Sequence, residues 1–221
     1  MLVLSRDNRV ILSTPVEQNA YDLTAKYYAD RHFSDIENDT PIVSRVMHEW
    51  GRFNTGLPSV LDVGCGVGTN LRMFSNLGCA VTGIDTSEEM LRYARLIAPE
   101  STLYKLDVRE VHRIKEQFDI VFAKALIHLF PYEESFEIGR ALINKLRPHG
   151  IFYVTTTMHE IHKESFEKKD DYPGAPLRFR SRWDYPCWRL WLEDLGVELL
   201  TEWSNVDPRS NKFWVNAILK V

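Results

Sequence analysis

From Val60 to Asn70 the chain reads Val-Leu-Asp-Val-Gly-Cys-Gly-Val-Gly-Thr-Asn. An apolar run bearing one acid meets three glycines that alternate with small residues, and an amphipathic segment follows. That pattern predicts a buried parallel strand turning sharply into a helix. Glycine accepts positive φ and carries no side chain, so a ligand can lie against bare backbone at such a turn. In open α/β sheets, small-molecule sites sit just outside the carboxyl ends of the strands. An α/β fold with a ligand site at this bend is therefore expected. The spacing is Gly-x-Gly-x-Gly, not the Gly-x-Gly-x-x-Gly of dinucleotide dehydrogenases, and no Gly-Lys-Ser/Thr follows to make a P-loop.

Later segments repeat the arrangement of strand then acid. Ala80-Val81-Thr82-Gly83-Ile84-Asp85 predicts a second strand, whose terminal carboxylate can accept hydrogen bonds from both hydroxyls of an adenosine ribose. Thr86-Ser87-Glu88-Glu89 has the capping-box pattern of a helix start, with Met90, Leu91, Ala94 and Ile97 following at helical spacing. Leu103 to Val108 predicts a third strand ending at Asp107, and Phe118 to Ala123 a fourth. Pro131 suits the first turn of a helix with an apolar stripe of Ile138, Ala141, Leu142 and Leu146. Leu146-Arg147-Pro148-His149-Gly150 should end that helix, and the β-branched and aromatic run Ile151 to Thr157 should form a fifth strand.

The string Val60 to Gly68 resembles the glycine-rich first motif of class I S-adenosylmethionine (SAM) dependent methyltransferases, and Tyr21 to Tyr28 and Phe213-Trp214-Val215-Asn216 resemble elements of their small-molecule branch. Order and spacing agree with that family over residues 57–157. The resemblance implies an α/β fold with a seven-stranded, mostly parallel sheet of order 3-2-1-4-5-7-6 and an antiparallel seventh strand. Helices cover both faces, and N-terminal helices form a lid. It implies SAM as cofactor, leaving as S-adenosylhomocysteine, held by Asp62, Gly64, Cys65, Gly66 and Gly68 of the turn and by Asp85 and Thr86 after the second strand. Met90 would pack on the adenine ring. Asp107 and the Val108 amide would meet the adenine amino group and ring nitrogen, and Ala123 would lie against the cofactor at the end of the fourth strand.

The flanking segments carry the remaining candidates. Tyr21-Asp22-Leu23-Thr24-Ala25-Lys26-Tyr27-Tyr28 resembles the family's "Tyr-Asp-x-x-Ala-x-x-Tyr" lid, and Tyr21, Ala25 and Tyr28 share one helical face. Tyr21 and Tyr28 can there face the methionine end of SAM and Arg31 its carboxylate; an ordinary docking helix is the other reading. Leu2-Val3-Leu4 and Val10-Ile11-Leu12 suggest a β-hairpin ahead of it. Residues 158–196, where the family builds its acceptor pocket, hold Phe166, Tyr172, Phe179, Trp183, Tyr185, Trp188 and Trp191. Arg178, Arg180 and Arg182 alternate, so an extended strand would aim all three at one side. Such a set suits an aromatic or carboxylated acceptor, although Trp188 and Trp191 also read as the buried face of a helix and the arginines as solvated. His159, His162 and Glu164 read as a charged loop, with no further metal-ligand pattern. Val197 to Trp203 and Phe213 to Leu219 predict a C-terminal hairpin, from which Trp214 can reach the acceptor or merely pack. The chain thus reads as a single domain, 1–221, divided into an N-terminal hairpin and lid (1–56), a SAM-binding core (57–157), an acceptor-site insertion (158–196) and a terminal hairpin (197–221).

The 221 residues, 44% hydrophobic and 26% charged, suit one sizeable core. A net charge of -4 disfavours a nucleic-acid surface. Three cysteines, at 65, 79 and 187, fit no metal spacing and suggest reduced thiols in a cytoplasm. No apolar run reaches membrane-spanning length, the short start Leu2 to Leu4 makes no signal peptide, and a monomer or homodimer is expected. For methyl transfer to an oxygen or nitrogen atom of a small molecule, His128 is the candidate base, being the titratable residue just past the fourth strand. It would touch the acceptor together with Tyr28, Arg178, Arg180, Arg182, Trp183 and Trp214. Neither Asn/Asp-Pro-Pro-Tyr nor a Pro-Cys nucleophile stands there, which argues against amide, exocyclic-amine or carbon-5 base methylation. The competing readings are a tRNA or protein methyltransferase of the same fold, a non-catalytic SAM-binding regulator, and a nicotinamide oxidoreductase, the last disfavoured by glycine spacing.

Overall fold

The computed structural model describes residues 15–168, 177–207 and 210–221, with the side chains of 15–19, 33 and 34 excepted. The anticipated hairpin around Leu2–Leu4 and Val10–Leu12, Tyr172, and Pro208 and Arg209 of the last turn lie outside the described residues. Two helices, α1 (Pro15–Asp30) and α2 (His32–Gly51), precede β1 (Ser59–Val63) and α3 (Thr69–Asn76). Then come β2 (Ala80–Asp85), α4 (Glu88–Ile97), β3 (Thr102–Lys105), β4 (Phe118–Lys124), α5 (Tyr132–Ile143) and β5 (Leu146–Thr157). A ribbon of β6 (Lys163–Lys168) and β7 (Leu177–Arg182) leads to α6 (Tyr185–Asp194), and β8 (Glu198–Val206) and β9 (Phe213–Lys220) close the chain.

The main sheet runs β3-β2-β1-β4-β5-β9-β8, with β6 and β7 paired separately. Counting main-sheet strands alone, the seventh in chain order lies between the fifth and the sixth, as the resemblance implied. Its pairing with β5 is antiparallel, whereas β3, β2, β1, β4 and β5 pair in parallel.

Strand alternation explains how both faces are covered. On β1, Val60 joins one core with Val43 and Val46 of α2, Phe74 of α3 and Leu91 of α4. Its neighbours Leu61 and Val63 join the other, with Ile138 and Leu142 of α5 and Trp188 and Trp191 of α6. Both side-chain rows are therefore buried, which is why the strand sequences read as continuous apolar runs. Ser87 caps α4, its hydroxyl accepting from the Met90 amide at 3.1 Å.

The structure alters three boundaries. β3 stops at Lys105 and not at Asp107, which instead caps the 3-10 turn Val108–Arg113. α5 stops at Ile143 and not at Leu146, because Leu146 already pairs with Phe118 of β4. The next in-register pair is Ile120 with Ile151, so Arg147–Gly150 form a bulge, with His149 at φ +65°.

The three tryptophans between β7 and α6 make one aromatic block. Trp188 and Trp191 stack at 6.0 Å, and Trp183 meets Trp191 edge-on at 5.7 Å. The Trp191 indole donates to the Ser135 carbonyl at 3.0 Å and Trp188 to Glu202 at 2.9 Å, so the helix-face reading of these two is the right one. Trp183, expected at the acceptor, is fully buried in this block and is absent from the cavity wall described below. Opposite it, a Cβ on Gly139 would stand 2.8 Å from the Trp191 ring and 2.7 Å from Leu195. Gly139→Ala should therefore cost about 1–3 kcal/mol by overpacking, read as a lowered urea midpoint at unchanged slope; an unchanged midpoint would show that the block yields freely.

Candidate functional site

The turn after β1 is stapled to β2. The Gly64 and Cys65 amides both donate to the Ile84 carbonyl, at 2.9 and 3.0 Å. Gly64 and Gly66 sit at φ +73° and +53°, which only glycine adopts without strain. A Cβ on Gly66 would meet nothing closer than the Met90 sulfur at 4.0 Å, so its backbone faces open space. Its amide donates to Asp85 at 2.9 Å, and the Ser87 amide reaches the same carboxylate at 2.9 Å. Gly68 has a different task from the one expected of it. A Cβ there would lie 3.0 Å from Ala94, so Gly68 allows α3 to pack on α4 and does not line the cavity.

The cavity beside this turn has a volume of about 950 Å³. Gly64, Cys65, Gly66, Asp62, Asp85, Thr86, Met90, Asp107 and Val108 all border it. Ala123 does not: it is wholly buried in β4, and the lining passes to Lys124 and Ala125. Asp107 accepts from the Arg109 amide at 2.9 Å and pairs with its guanidinium at 3.0 Å. α1 closes the top, where Tyr21, Ala25 and Tyr28 pack with Val67 and Met90. The Asp22 carboxylate accepts from the Ser87 hydroxyl at 2.5 Å, docking α1 on the start of α4. Arg31 also lines the cavity, stacked over Tyr27 at 5.2 Å and 3.6 Å from Asp35.

Acids gather at one end. Asp62 is buried, and its Oδ2 has no hydrogen-bond partner among the described residues. Burial pushes its pKa up to about 8; Lys124 opposes this, while Asp85 and Asp39 add to it. Burial also raises Asp85, against the opposing pull of the amides it accepts from. Asp39 of α2 forms an ion pair with Lys124 at 2.5 Å. The sequence reading missed both members, since nothing in an amphipathic helix marks the residue that will face a strand end far along the chain.

Cations and His128 gather at the other end. His128 lies in the short 3-10 turn Ile127–Leu129, buried, with Nδ1 3.2 Å from the Thr156 hydroxyl and Trp214 at 5.8 Å between rings. Burial drives its pKa well below the usual imidazole value, and Arg180, Arg178, Lys212 and His159 act in the same direction. The imidazole is neutral at pH 7, as a proton acceptor must be. Arg178, Arg180 and Arg182 of β7 all reach the cavity wall, as does His159, which the sequence reading left in a charged loop. No group of His, Cys, Asp or Glu that could hold a metal ion occurs among the described residues.

Known proteins share both part of this sequence and its fold. Residues 60–150 match the family described as methyltransferase domain. The 2-methyl-6-phytyl-1,4-hydroquinone methyltransferase of Synechocystis is 26% identical over 85% of this chain and 58% of its own length. The chain spans only about half the length of the curated relatives it matches. Magnesium protoporphyrin IX methyltransferase of Synechocystis, solved with bound S-adenosylhomocysteine, superposes with a TM-score of 0.64 at 18% identity, covering 91% of this chain and 96% of that one. A Burkholderia thailandensis 1,6-didemethyltoxoflavin-N1-methyltransferase gives 0.62 at 15% identity over 96% and 92%. The chain has the class I methyltransferase fold.

The cavity beside the glycine turn has room for a molecule the size of the S-adenosylhomocysteine bound in the Synechocystis neighbour. Gly66 presents bare backbone to the cavity, and the unpartnered Asp62 oxygen suits a cationic group. Without one, Asp62 holds a proton that the unfolded chain releases near pH 4. The stability this gives is present in acid and is lost as pH rises towards about 8. Asp62→Asn should therefore raise the ligand-free melting temperature at pH 8 by about 3 °C or more and leave it nearly unchanged at pH 4. A lower melting temperature for the variant at pH 8 would contradict the protonated state.

Proposed function

We propose that this chain transfers a methyl group from SAM to an oxygen or nitrogen atom of a small-molecule acceptor. The observation that carries the proposal is the continuity of the cavity, which joins the glycine turn, Asp85 and Asp107 to His128 and the β7 arginines without an intervening wall. A ligand held at the first end thus reaches the second. The sulfonium supplies an already electrophilic carbon, so the protein's task is alignment of the acceptor and exclusion of water.

The residues divide accordingly. Asp85 and Thr86 would hold the ribose, Met90 and Val108 the adenine, and Asp62 with the Gly64 backbone the methionine end, with α1 as cover. The lining also includes Tyr28 and Trp214, which would flank the acceptor beside His128. His128 would take the proton of a hydroxyl or ammonium acceptor. Thr156, at 3.2 Å from its Nδ1, fixes the ring so that the other nitrogen is left for the acceptor. An aromatic or carboxylated acceptor suits this lining, and the two Synechocystis relatives methylate small molecules, a phytyl hydroquinone and a magnesium porphyrin. A nucleic-acid acceptor is disfavoured by the net charge of -4. All three cysteines are free, and no described helix is long and apolar enough to cross a membrane; we place the protein in the cytoplasm.

The test is a screen of aromatic and carboxylated compounds with methyl-labelled SAM, followed by His128→Ala on the best acceptor. Turnover should fall by about 10²-fold or more. Because the His128 pKa lies below the usual 6.5, the wild-type rate should stay flat from pH 8 down to about 6.5 and fall only in more acid solution, as the imidazole gains its proton. A variant with near-normal turnover would remove the base, and a cofactor-binding protein that labels no acceptor would point to a regulator.

A further inference from the structure

β7 carries three arginines with different fates. Arg182 is neutralised by Glu167 at 2.8 Å, and the Ser165 hydroxyl occupies the same carboxylate at 2.9 Å. Arg178 is buried, yet its only side-chain hydrogen bond among the described residues goes to a neutral group: Nη1 donates to the Tyr21 hydroxyl at 3.4 Å, with the guanidinium 6.0 Å from that ring. Arg180 has no hydrogen-bonded partner at all for its buried Nη1 among the described residues. Neither Arg178 nor Arg180 forms an ion pair with a described carboxylate. Both border the cavity at its His128 end.

Arg178 is buried and Arg180 half-buried with its Nη1 out of water; two guanidinium groups so placed, two residues apart on one side of a strand, repel each other and forgo part of their hydration. A counter-charge arriving from outside would offset both costs. The acids of the cavity do not supply it. Asp39 is engaged by Lys124, Asp107 by Arg109, Asp35 by Arg31, Glu167 by Arg182, Asp207 by the Ser210 hydroxyl and Asp85 by backbone amides, while burial keeps a proton on Asp62. A guanidinium fork matches the two oxygens of a carboxylate or phosphate, and the free Nη1 of Arg180 is a ready donor.

We infer that Arg178 and Arg180 form an oxyanion subsite that anchors the acceptor by a carboxylate or phosphate group, holding the remainder of the molecule against His128. Only the word acceptor rests on the methyl-transfer reading; the anion subsite stands on the arginines themselves. Arg182, the third of the row, lies outside it because Glu167 already occupies it. Arg178 also ties the subsite to α1 through Tyr21, so an anion bound there meets the docked lid.

The experiment is calorimetric titration of the full chain, with saturating S-adenosylhomocysteine and at constant ionic strength. The probes are benzoate, phenyl phosphate and neutral benzyl alcohol. Benzoate or phenyl phosphate should bind at least about tenfold more tightly than benzyl alcohol, and the stronger of the two identifies the anion. Arg180→Gln and Arg178→Gln should each weaken that anion by about tenfold or more, and Arg113→Gln, which removes an exposed and distant charge, by less than about twofold. S-adenosylhomocysteine affinity should stay within about threefold in every variant. Equal binding of anions and benzyl alcohol to the wild type overturns the inference, and that comparison needs no variant to fold. Loss of S-adenosylhomocysteine binding with unchanged anion binding in Arg180→Gln also overturns it, since the arginines would then serve the cofactor's own carboxylate. If the wild type binds no S-adenosylhomocysteine, the methyltransferase reading fails, and the same anion titrations without it still decide the subsite.

Discussion

Two backbone amides sharing one carbonyl hold the ligand end of this molecule together. Gly64 and Cys65 both donate to Ile84, which ties the turn after β1 to the last residues of β2. The Gly66 amide then falls on the Asp85 carboxylate. Every later feature of the site takes its position from this staple. The open space beside Gly66 exists because the turn bends at positive φ. Asp85 is oriented because the turn supplies one of its donors, and Met90 closes the floor because Ser87 caps α4 immediately after that acid. Substituting a side chain at Gly64 would strain the backbone and drive a Cβ to within 3.0 Å of Leu126, so the motif is a requirement of geometry before it is one of binding.

The cavity has opposite charge character at its two ends. Asp39, Asp62, Asp85 and Asp107 crowd the end bordered by the glycine turn, and one of them is kept protonated by burial. Arg178, Arg180, His159 and Lys212 border the end around His128. Lys124 and Arg109 already compensate Asp39 and Asp107, so it is the unpartnered Asp62 oxygen that suits a cation at the first end, while Arg178 and Arg180 suit an anion at the second and, with burial, keep the imidazole neutral. A methyl transfer from a sulfonium to an anion-bearing acceptor has that polarity.

The central strands β1, β4 and β5 were legible because each carries a nearly unbroken apolar run, and burial of both sheet faces makes that pattern strong. The turn was legible from Gly64 and Gly66, whose task is local. Gly68 was misread because its need for glycine comes from Ala94 on another helix, which no local pattern shows. Ala123 and Trp183 were misassigned for a related reason: both adjoin lining residues in sequence, but their side chains point into the core. The Asp39–Lys124 pair was invisible, since it joins α2 to the end of β4 only after folding. The alternation of Arg178, Arg180 and Arg182 correctly placed three arginines on one wall, while the neutralisation of the last by Glu167 depends on the β6–β7 pairing.

The account stands on the glycine turn and Asp85 receiving the nucleoside of SAM. Titration of S-adenosylhomocysteine into the full chain and into Asp85→Ala tests it most directly. A wild-type Kd of about 100 µM or tighter, at least about tenfold weaker in the variant, with no binding of NAD near 1 mM, is the predicted result. A folded wild-type protein that ignores both S-adenosylhomocysteine and SAM at millimolar concentration would contradict it.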